Sequence, residues 1–133
     1  MKHLLCISLI VLLSGCYTPK NNNPEVMADL ASQLKDISAA IDGTLKFSSE
    51  PYTDPHKLLL AAIKDDKSKL APFENYQLRI VIQEKNAILL LCKEEILLIE
   101  DAGCSAKSDI QHWQSDKNQI CKVTLKSNQV CKF

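Results

Sequence analysis

Three side chains of complementary chemistry lie close together in the C-terminal third of the chain. Cys104, Asp109 and His112 fall within nine residues, and a thiol beside a histidine and a carboxylate can serve in nucleophilic catalysis. Catalytic groups act through their positions in space, so closeness in the sequence identifies candidate residues but does not show that they meet in the folded protein. In an exported domain with several cysteines, a disulfide bond is the more common state of such a thiol.

Two acidic pairs, Glu94-Glu95 and Glu100-Asp101, could hold a cation or exchange protons with a substrate. Neither pair has the spacing of a calcium loop, and the first is typical of a solvated turn and the second of a strand end. The sequence contains no GxSxG or HExxH motif, and its three glycines form no phosphate-binding loop. We therefore predict a protein that is not an enzyme and that has no metal ligands and no cofactor.

The charge of the chain is balanced, with 16 basic and 16 acidic residues. A near-neutral domain lacks the basic surface that draws a protein to phosphate backbones, so no nucleic-acid partner is expected. There is no polybasic run to hold an anionic membrane either. Attachment to a membrane must therefore come from another feature.

The first fifteen residues have the anatomy of a secretory signal peptide. Lys2 and His3 form a basic start, an apolar region of ten residues follows over 4–13, and Ser14-Gly15 supply small residues for cleavage. The apolar run is too short to span a bilayer, which takes about 20 such residues. We expect residues 1–15, which include Cys6, to be removed as a leader.

The end of this leader, Leu13-Ser14-Gly15-Cys16, resembles the lipobox of bacterial lipoproteins. The resemblance implies that the Cys16 thiol receives a diacylglycerol and that the chain is cleaved on the N-terminal side of Cys16. It also implies that the new amino group of Cys16 is then acylated with a palmitate-type chain. Such a lipid anchor exceeds the two membrane signals needed for stable attachment. Tyr17 stands where an inner-membrane protein of this family has aspartate, so the resemblance implies the periplasmic face of the outer membrane.

Residues 16–24 are predicted to form a lipidated tether, because they combine two prolines and three asparagines without apolar periodicity. A single globular domain over 25–133 follows. A first helix is predicted over 25–42, with Asn23 as its cap, an apolar residue every three or four positions, and Gly43 as its stop. A second helix begins at Asp54-Pro55 and ends at Pro72.

After Pro72 the apolar period changes to two, which predicts an antiparallel meander of three strands over 76–101. The middle strand, AILLLC, is apolar on both faces and needs cover. The fold class is therefore α+β, with two N-terminal helices packed on a small antiparallel meander sheet and a disulfide-stapled C-terminal part. The tail is predicted to hold a helical turn over 106–114 and a hairpin around Ser127-Asn128.

Four cysteines remain after lipidation, and an even number in an exported domain predicts two disulfides. The register of the predicted hairpins places Cys92 away from Cys104, and Cys121 away from Cys131, at distances that no disulfide spans. Four cysteines allow three pairings. Of these, we expect Cys104–Cys121 with Cys92–Cys131.

Residues 97–113 also resemble a block in small uncharacterised proteobacterial lipoproteins, in which a leucine-rich strand leads into E-D-A-G-C and then an aspartate and a tryptophan. The resemblance implies no activity. Asp101, Asp109 and Trp113 are the contact candidates, since a lone tryptophan often dominates an interface; packing over a disulfide is its simpler role.

Two functional hypotheses follow. The first is a lipid-anchored envelope lipoprotein with an accessory, binding or assembly role, held to the membrane by its N-terminal lipid and bound to a protein partner in the cell envelope. The alternative is a small periplasmic enzyme that uses the Glu100–Trp113 segment.

Overall fold

The computed structural model describes residues 22–103, 109–126 and 130, and the structural statements below concern these residues. The described part holds two α-helices, two 3-10 helices and five β-strands. The strands form one antiparallel sheet, and both helices precede it in the chain. This arrangement confirms the predicted α+β fold. No helix within these ranges is long and apolar enough to cross a membrane.

The first helix, α1, spans Pro24–Phe47. The Asn23 side chain accepts the Glu25 N–H at 2.9 Å, which confirms the predicted cap. The helix runs through Gly43, the predicted stop, and ends one turn later. The continuation is favoured because Leu45 extends the buried apolar stripe, and its burial outweighs the modest helix cost of one glycine.

The second helix, α2, spans Pro55–Ala62 and is shorter than predicted. Its cap is confirmed, since the Asp54 carboxylate accepts the N–H groups of His56 and Lys57 at 2.8 and 3.3 Å. Two consecutive residues with positive φ, Lys64 and Asp65, then turn the chain. A 3-10 helix over Lys67–Phe73 follows, so the predicted single helix is divided in two.

The sheet begins with the predicted meander. Its strands are β1 (Gln77–Gln83), β2 (Asn86–Lys93) and β3 (Ile96–Asp101), joined by two-residue turns. In the second turn both Glu94 and Glu95 have positive φ, as such tight hairpins require. A register shift between Leu91 and Cys92 changes the pairing with β3.

Two short strands complete the sheet on the far side of β3. They are β4 (Ile110–Gln111) and β5 (Gln119–Ile120), and both pair with β3. A 3-10 turn at His112–Gln114 carries Trp113 between them, whereas the sequence predicted helix over 106–114. Of the predicted tail hairpin, only Ile120 lies in a strand; residues 121–126 are irregular, and 127–129 and 131–133 fall outside the described residues.

Apolar side chains are buried on both faces of β2. Ala87, Leu89 and Leu91 face the helices and join the larger core cluster with α1 and α2. Ile88 and Leu90 face the other way, where a smaller cluster includes Cys121, Leu125 and Val130. The irregular C-terminal segment thus covers the second face, which explains why the sequence of β2 is apolar throughout.

The disulfide in the described part joins Cys92 to Cys121, with their Cα atoms 5.8 Å apart. This finding corrects the predicted pairings Cys104–Cys121 and Cys92–Cys131. The reason is the position of β5, which sets Ile120 opposite Ile96 and so brings the next residue back to β2. A backbone hydrogen bond from Cys121 N–H to the Glu95 carbonyl, at 2.8 Å, holds it there. Cys104 and Cys131 lie outside the described residues.

Candidate functional site

Glu100 lies at the centre of a buried polar cluster on β3. Its side chain is fully buried, and its carboxylate accepts the N–H groups of Thr124 and Leu125 at 2.8 and 2.9 Å. The Thr124 hydroxyl donates to the same carboxylate, and His112 Nε2 lies 3.2 Å from it. A buried carboxylate is tolerated when its oxygens are satisfied in this way. Glu100 therefore anchors the C-terminal segment to the sheet.

Asp101 lies in a second buried cluster, together with Gly103, Asp109 and Lys35. Its carboxylate accepts the Gly103 N–H at 2.6 Å and shares a hydrogen bond with Asp109. Asp109 in turn makes an ion pair with Lys35 of α1, at 2.5 Å. Burial, together with the hydrogen bond and charge of Asp109, raises the pKa of Asp101 to about 6. The hydrogen bond and charge of Asp109 raise the pKa of Lys35.

Asp42 of α1 completes this region from the helix side. Its carboxylate accepts the Ala87 N–H at 3.0 Å, and burial raises its pKa to about 6. Gly103, at φ 73°, packs so closely that a Cβ atom there would lie 2.6 Å from Asp42 Oδ2 and 2.8 Å from Ser38 Oγ. The Ser38 hydroxyl favours the charged form of Asp101, although it makes no hydrogen bond of ordinary geometry within the described ranges.

The contact candidates from the sequence lie largely inside the domain. Asp101 is 1% exposed, and the Asp109 side chain is 15% exposed and paired with Lys35. Trp113 packs against the helix-side core, and its Nε1 has no hydrogen-bond partner among the residues described. The structure thus assigns internal contacts to side chains that the sequence offered as surface contacts.

The proposed catalytic trio is not assembled in the described part of the chain. Asp109 contacts Asp101 and Lys35, whereas His112 contacts Glu100. Cys104 lies outside the described residues, as does the lipidation candidate Cys16. No group of three or more His, Cys, Asp or Glu side chains within the described ranges is placed to hold a metal ion.

The acidic pairs also have separate surroundings. Glu94 and Glu95 occupy the exposed turn between β2 and β3, where Glu95 makes an ion pair with Arg79 at 3.1 Å. Glu100 and Asp101 are buried and hydrogen-bonded, as described above. The interpretation of the first pair as a solvated turn is confirmed, and the second pair ends a strand but is internal.

An open groove of about 610 Å³ runs along the free edge of β1. The first turn of α2 bounds it on one side and residues 121–123 bound it on the other. Its floor is mostly apolar, with Leu78, Ile80, Val81 and Leu90. The sequence analysis missed this groove, although the first strand of a meander is often an edge strand and this one contains neither proline nor glycine.

The β1 edge presents main-chain groups with no strand beside them in the described ranges. Gln83 and Asn86 close the two-residue turn as a hydrogen-bonded pair, and bonding to β2 alternates from there. The N–H and C=O groups of Leu78, Ile80 and Ile82 consequently point away from β2. This groove is the candidate functional site, because it joins apolar side chains to unpaired main-chain donors and acceptors.

Comparisons of the chain with protein-family models, with curated proteins and with solved structures find no match.

Proposed function

We propose that this protein is a lipid-anchored accessory protein on the periplasmic face of the outer membrane, and that it acts by binding. The leader over 1–15 and the resemblance of Leu13-Ser14-Gly15-Cys16 to a lipobox support the anchor. The disulfide between Cys92 and Cys121 supports an oxidising compartment, since such bonds form and persist there.

The observation that carries the binding role is the open edge of β1. The main-chain groups of Leu78, Ile80 and Ile82 point away from β2, and Leu78 and Ile80 line the groove. An exposed edge of this kind binds an extended segment by adding a strand to the sheet, with main-chain hydrogen bonds for affinity and side-chain pockets for specificity. The carboxylates of Glu100 and Asp109, in contrast, are engaged in holding the described part of the domain together.

The anchor is tested by fractionating cells that express the full chain or its Cys16→Ser variant. We expect the parent protein in the outer-membrane fraction, and the variant either released or left unprocessed with its leader. The matched control is Cys6→Ser, which changes a cysteine inside the leader and should leave the fractionation unaltered. A Cys16→Ser protein of mature length that stays on the membrane would contradict the lipoprotein proposal.

The binding role is tested with a photo-crosslinking residue at Gln77, on the β1 edge, in the full-length protein in cells. We expect one discrete crosslinked product. The control position is Ser32, which is exposed on α1 and does not line the groove. If the Gln77 position gives no product, or the same products as the Ser32 position, the β1 edge is not a binding surface.

A further inference from the structure

We propose that the occupant of the β1 edge is a second copy of this chain, paired β1 to β1 in antiparallel register about a two-fold axis at Ile80. This proposal rests on the proposed function, because it names the binding partner of the same surface. A symmetric pair of this kind is an isologous interface, in which the same patch serves both subunits.

The sequence of β1 is nearly the same in both directions. QLRIVIQ reads outward from Ile80 with Leu78 matching Ile82 and Gln77 matching Gln83. In antiparallel self-pairing centred on Ile80, each of these residues meets its match in the second copy. A strand that reads alike in both directions is complementary to itself, which an edge selected for an unrelated partner does not require.

The alternation of inward and outward main-chain groups along β1 is compatible with a two-fold axis at Ile80. Leu78, Ile80 and Ile82 are the residues whose N–H and C=O groups point outward. An axis at Ile80 makes the two Ile80 residues a hydrogen-bonded pair, and Leu78 forms hydrogen-bonded pairs with the second copy's Ile82. Every outward group of the strand is then satisfied. A centre midway between Ile80 and Val81 would set outward residues opposite inward ones and leave these groups unpaired, whereas a centre at Arg79 would keep the bonding phase but place two Arg79 charges directly opposite each other.

The side chains are compatible with this register on both faces. A two-fold axis perpendicular to the sheet keeps the helix-side faces together, so Leu78, Ile80 and Ile82 continue the apolar layer that they form beneath the helices. On the opposite face Arg79 meets Val81 rather than another Arg79, and its charge is already paired with Glu95. No like charges therefore lie directly opposite each other across the strand pair.

Apart from the single charge of Arg79, the edge lacks the devices that keep sheet edges apart. All seven residues of β1 pair with β2 without a bulge, and the strand contains no proline, glycine or lysine. The balanced charge of the whole chain adds no strong repulsion between copies. The competing occupant is an acidic extended segment of another protein, which His56 and Lys122 in the groove walls would attract.

Cysteine crosslinking of the full-length protein in mild detergent tests the register directly. In the proposed pair, Gln77 lies opposite Gln83 of the second copy as a non-hydrogen-bonded pair, with Cα atoms about 4.5 Å apart, within the range of a disulfide. Identical positions lie roughly 20 Å apart, because six residues of strand separate them. We therefore expect the Gln77→Cys and Gln83→Cys variants to form a crosslinked dimer when mixed, and neither to do so alone.

A second pair of variants tests the same register without oxidation. Gln77→Lys/Gln83→Lys places like charges opposite each other at both ends of the strand pair, and should weaken the dimer by roughly tenfold in sedimentation experiments. Gln77→Lys/Gln83→Glu brings opposite charges together at the same positions and should restore it. All of these substitutions lie at the two ends of the strand, so the domain is expected to stay folded.

Several outcomes would overturn the second-copy proposal. These are a monomeric parent protein at micromolar concentrations, a mixture that does not crosslink, or single variants that crosslink as well as the mixture. If the photo-crosslinker at Gln77 captures a different polypeptide, the partner is that protein, and the binding role of the edge stands without the dimer.

Discussion

The N–H of Leu125 donates to the buried carboxylate of Glu100 at 2.9 Å, across 25 positions of the chain. Together with the Thr124 contacts, this bond fixes an irregular segment against the second face of the sheet. That face includes Ile88 and Leu90 of β2, which the segment shields from water. One carboxylate thus allows a small sheet to bury both of its faces, although helices cover only one.

Replacing Glu100 with glutamine should destabilise the domain by about 3 kcal/mol. The amide keeps the size of the carboxylate and one oxygen for the two backbone N–H groups, but it removes the charge and puts an –NH2 group where the second oxygen accepts the Thr124 hydroxyl and faces His112 Nε2. Urea unfolding of the full-length variant measures the loss. Glu94→Gln, in the exposed turn, is the matched control and should change the free energy of unfolding by less than about 0.5 kcal/mol. Equal effects of the two variants would contradict the anchoring role.

The two glycines of the described chain should respond to alanine in opposite directions. Gly103→Ala places a Cβ atom against Asp42 and Ser38, at a φ that favours glycine, and should cost about 2 kcal/mol or more. Gly43→Ala, inside α1 with no atom within 4 Å of the added Cβ, should stabilise by about 0.5–1 kcal/mol. Melting temperatures of the two variants, compared with the parent, check both signs. A stabilising Gly103→Ala would mean that α1 and β3 do not approach this closely.

The stability of the domain should fall as the pH rises through about 6. Burial raises the folded-state pKa of Asp42 and Asp101 to about 6, while an unfolded aspartate titrates near 3.9. The folded state therefore binds more protons in this window, and the stability due to these protons is complete below about pH 4 and lost above about pH 6. Each carboxyl group contributes up to about 3 kcal/mol. Urea titrations between pH 4 and pH 7.5 measure the slope.

The Asp101→Asn variant separates the contributions of Asp101 and Asp42 to that pH dependence. The amide cannot ionise, so the variant should lose about half of the pH dependence while the Asp42 part remains. Asp109 and Lys35 face the site and keep their ion pair in this variant. An unchanged slope would show that Asp101 does not titrate in this range.

Reduction should lower the stability of the domain, because the Cys92–Cys121 bond closes a long loop. The sequence separation of 29 corresponds to roughly 3–4 kcal/mol in the chain-entropy account. The Cys92→Ala/Cys121→Ala variant should lower the melting temperature in the same direction as the reductant, and by no more, because the reductant also opens the second predicted bond. If neither treatment shifts the melting temperature, the bond does not constrain the folded domain.

The pairing in the structure leaves Cys104 and Cys131 as the remaining partners for the second predicted bond. We expect peptide mapping of the oxidised protein to recover this pair together with Cys92–Cys121, and a thiol count of zero in the mature protein. The same count tests the enzymatic alternative, since a bonded Cys104 cannot act as a nucleophile. One free thiol that reacts with an alkylating reagent would revive that alternative.

Local features of the fold were predictable from the sequence because local chemistry determines them. The caps at Asn23 and Asp54 satisfy N–H groups only a few residues away, and the change of apolar period marked the start of the strands. The interruption of the second helix at Lys64 and Asp65 was not predictable in this way. Those residues are exposed and adopt positive φ at the end of the helix without the glycine that would mark such a stop in the sequence.

The long-range contacts were beyond the sequence for a related reason. The register argument correctly disfavoured the local pair Cys92–Cys104, but two non-local pairings remained and only the position of β5 decides between them. The acidic residues of the E-D-A-G block were visible as a group, yet their burial depends on α1 and on residues 124–125, which are distant in the chain. The β1 edge was missed because a strand lies at an edge only if no later strand pairs with it, and the sequence of β1 itself does not determine this.

The mass of the protein extracted from outer membranes tests the central claim most directly. The account predicts a chain that begins at Cys16 and carries a diacylglyceryl group on its thiol and an acyl group on its amine, with both modifications on the N-terminal peptide. An unmodified chain of 133 residues, or an unmodified mature chain that begins elsewhere, would contradict lipid anchoring at Cys16.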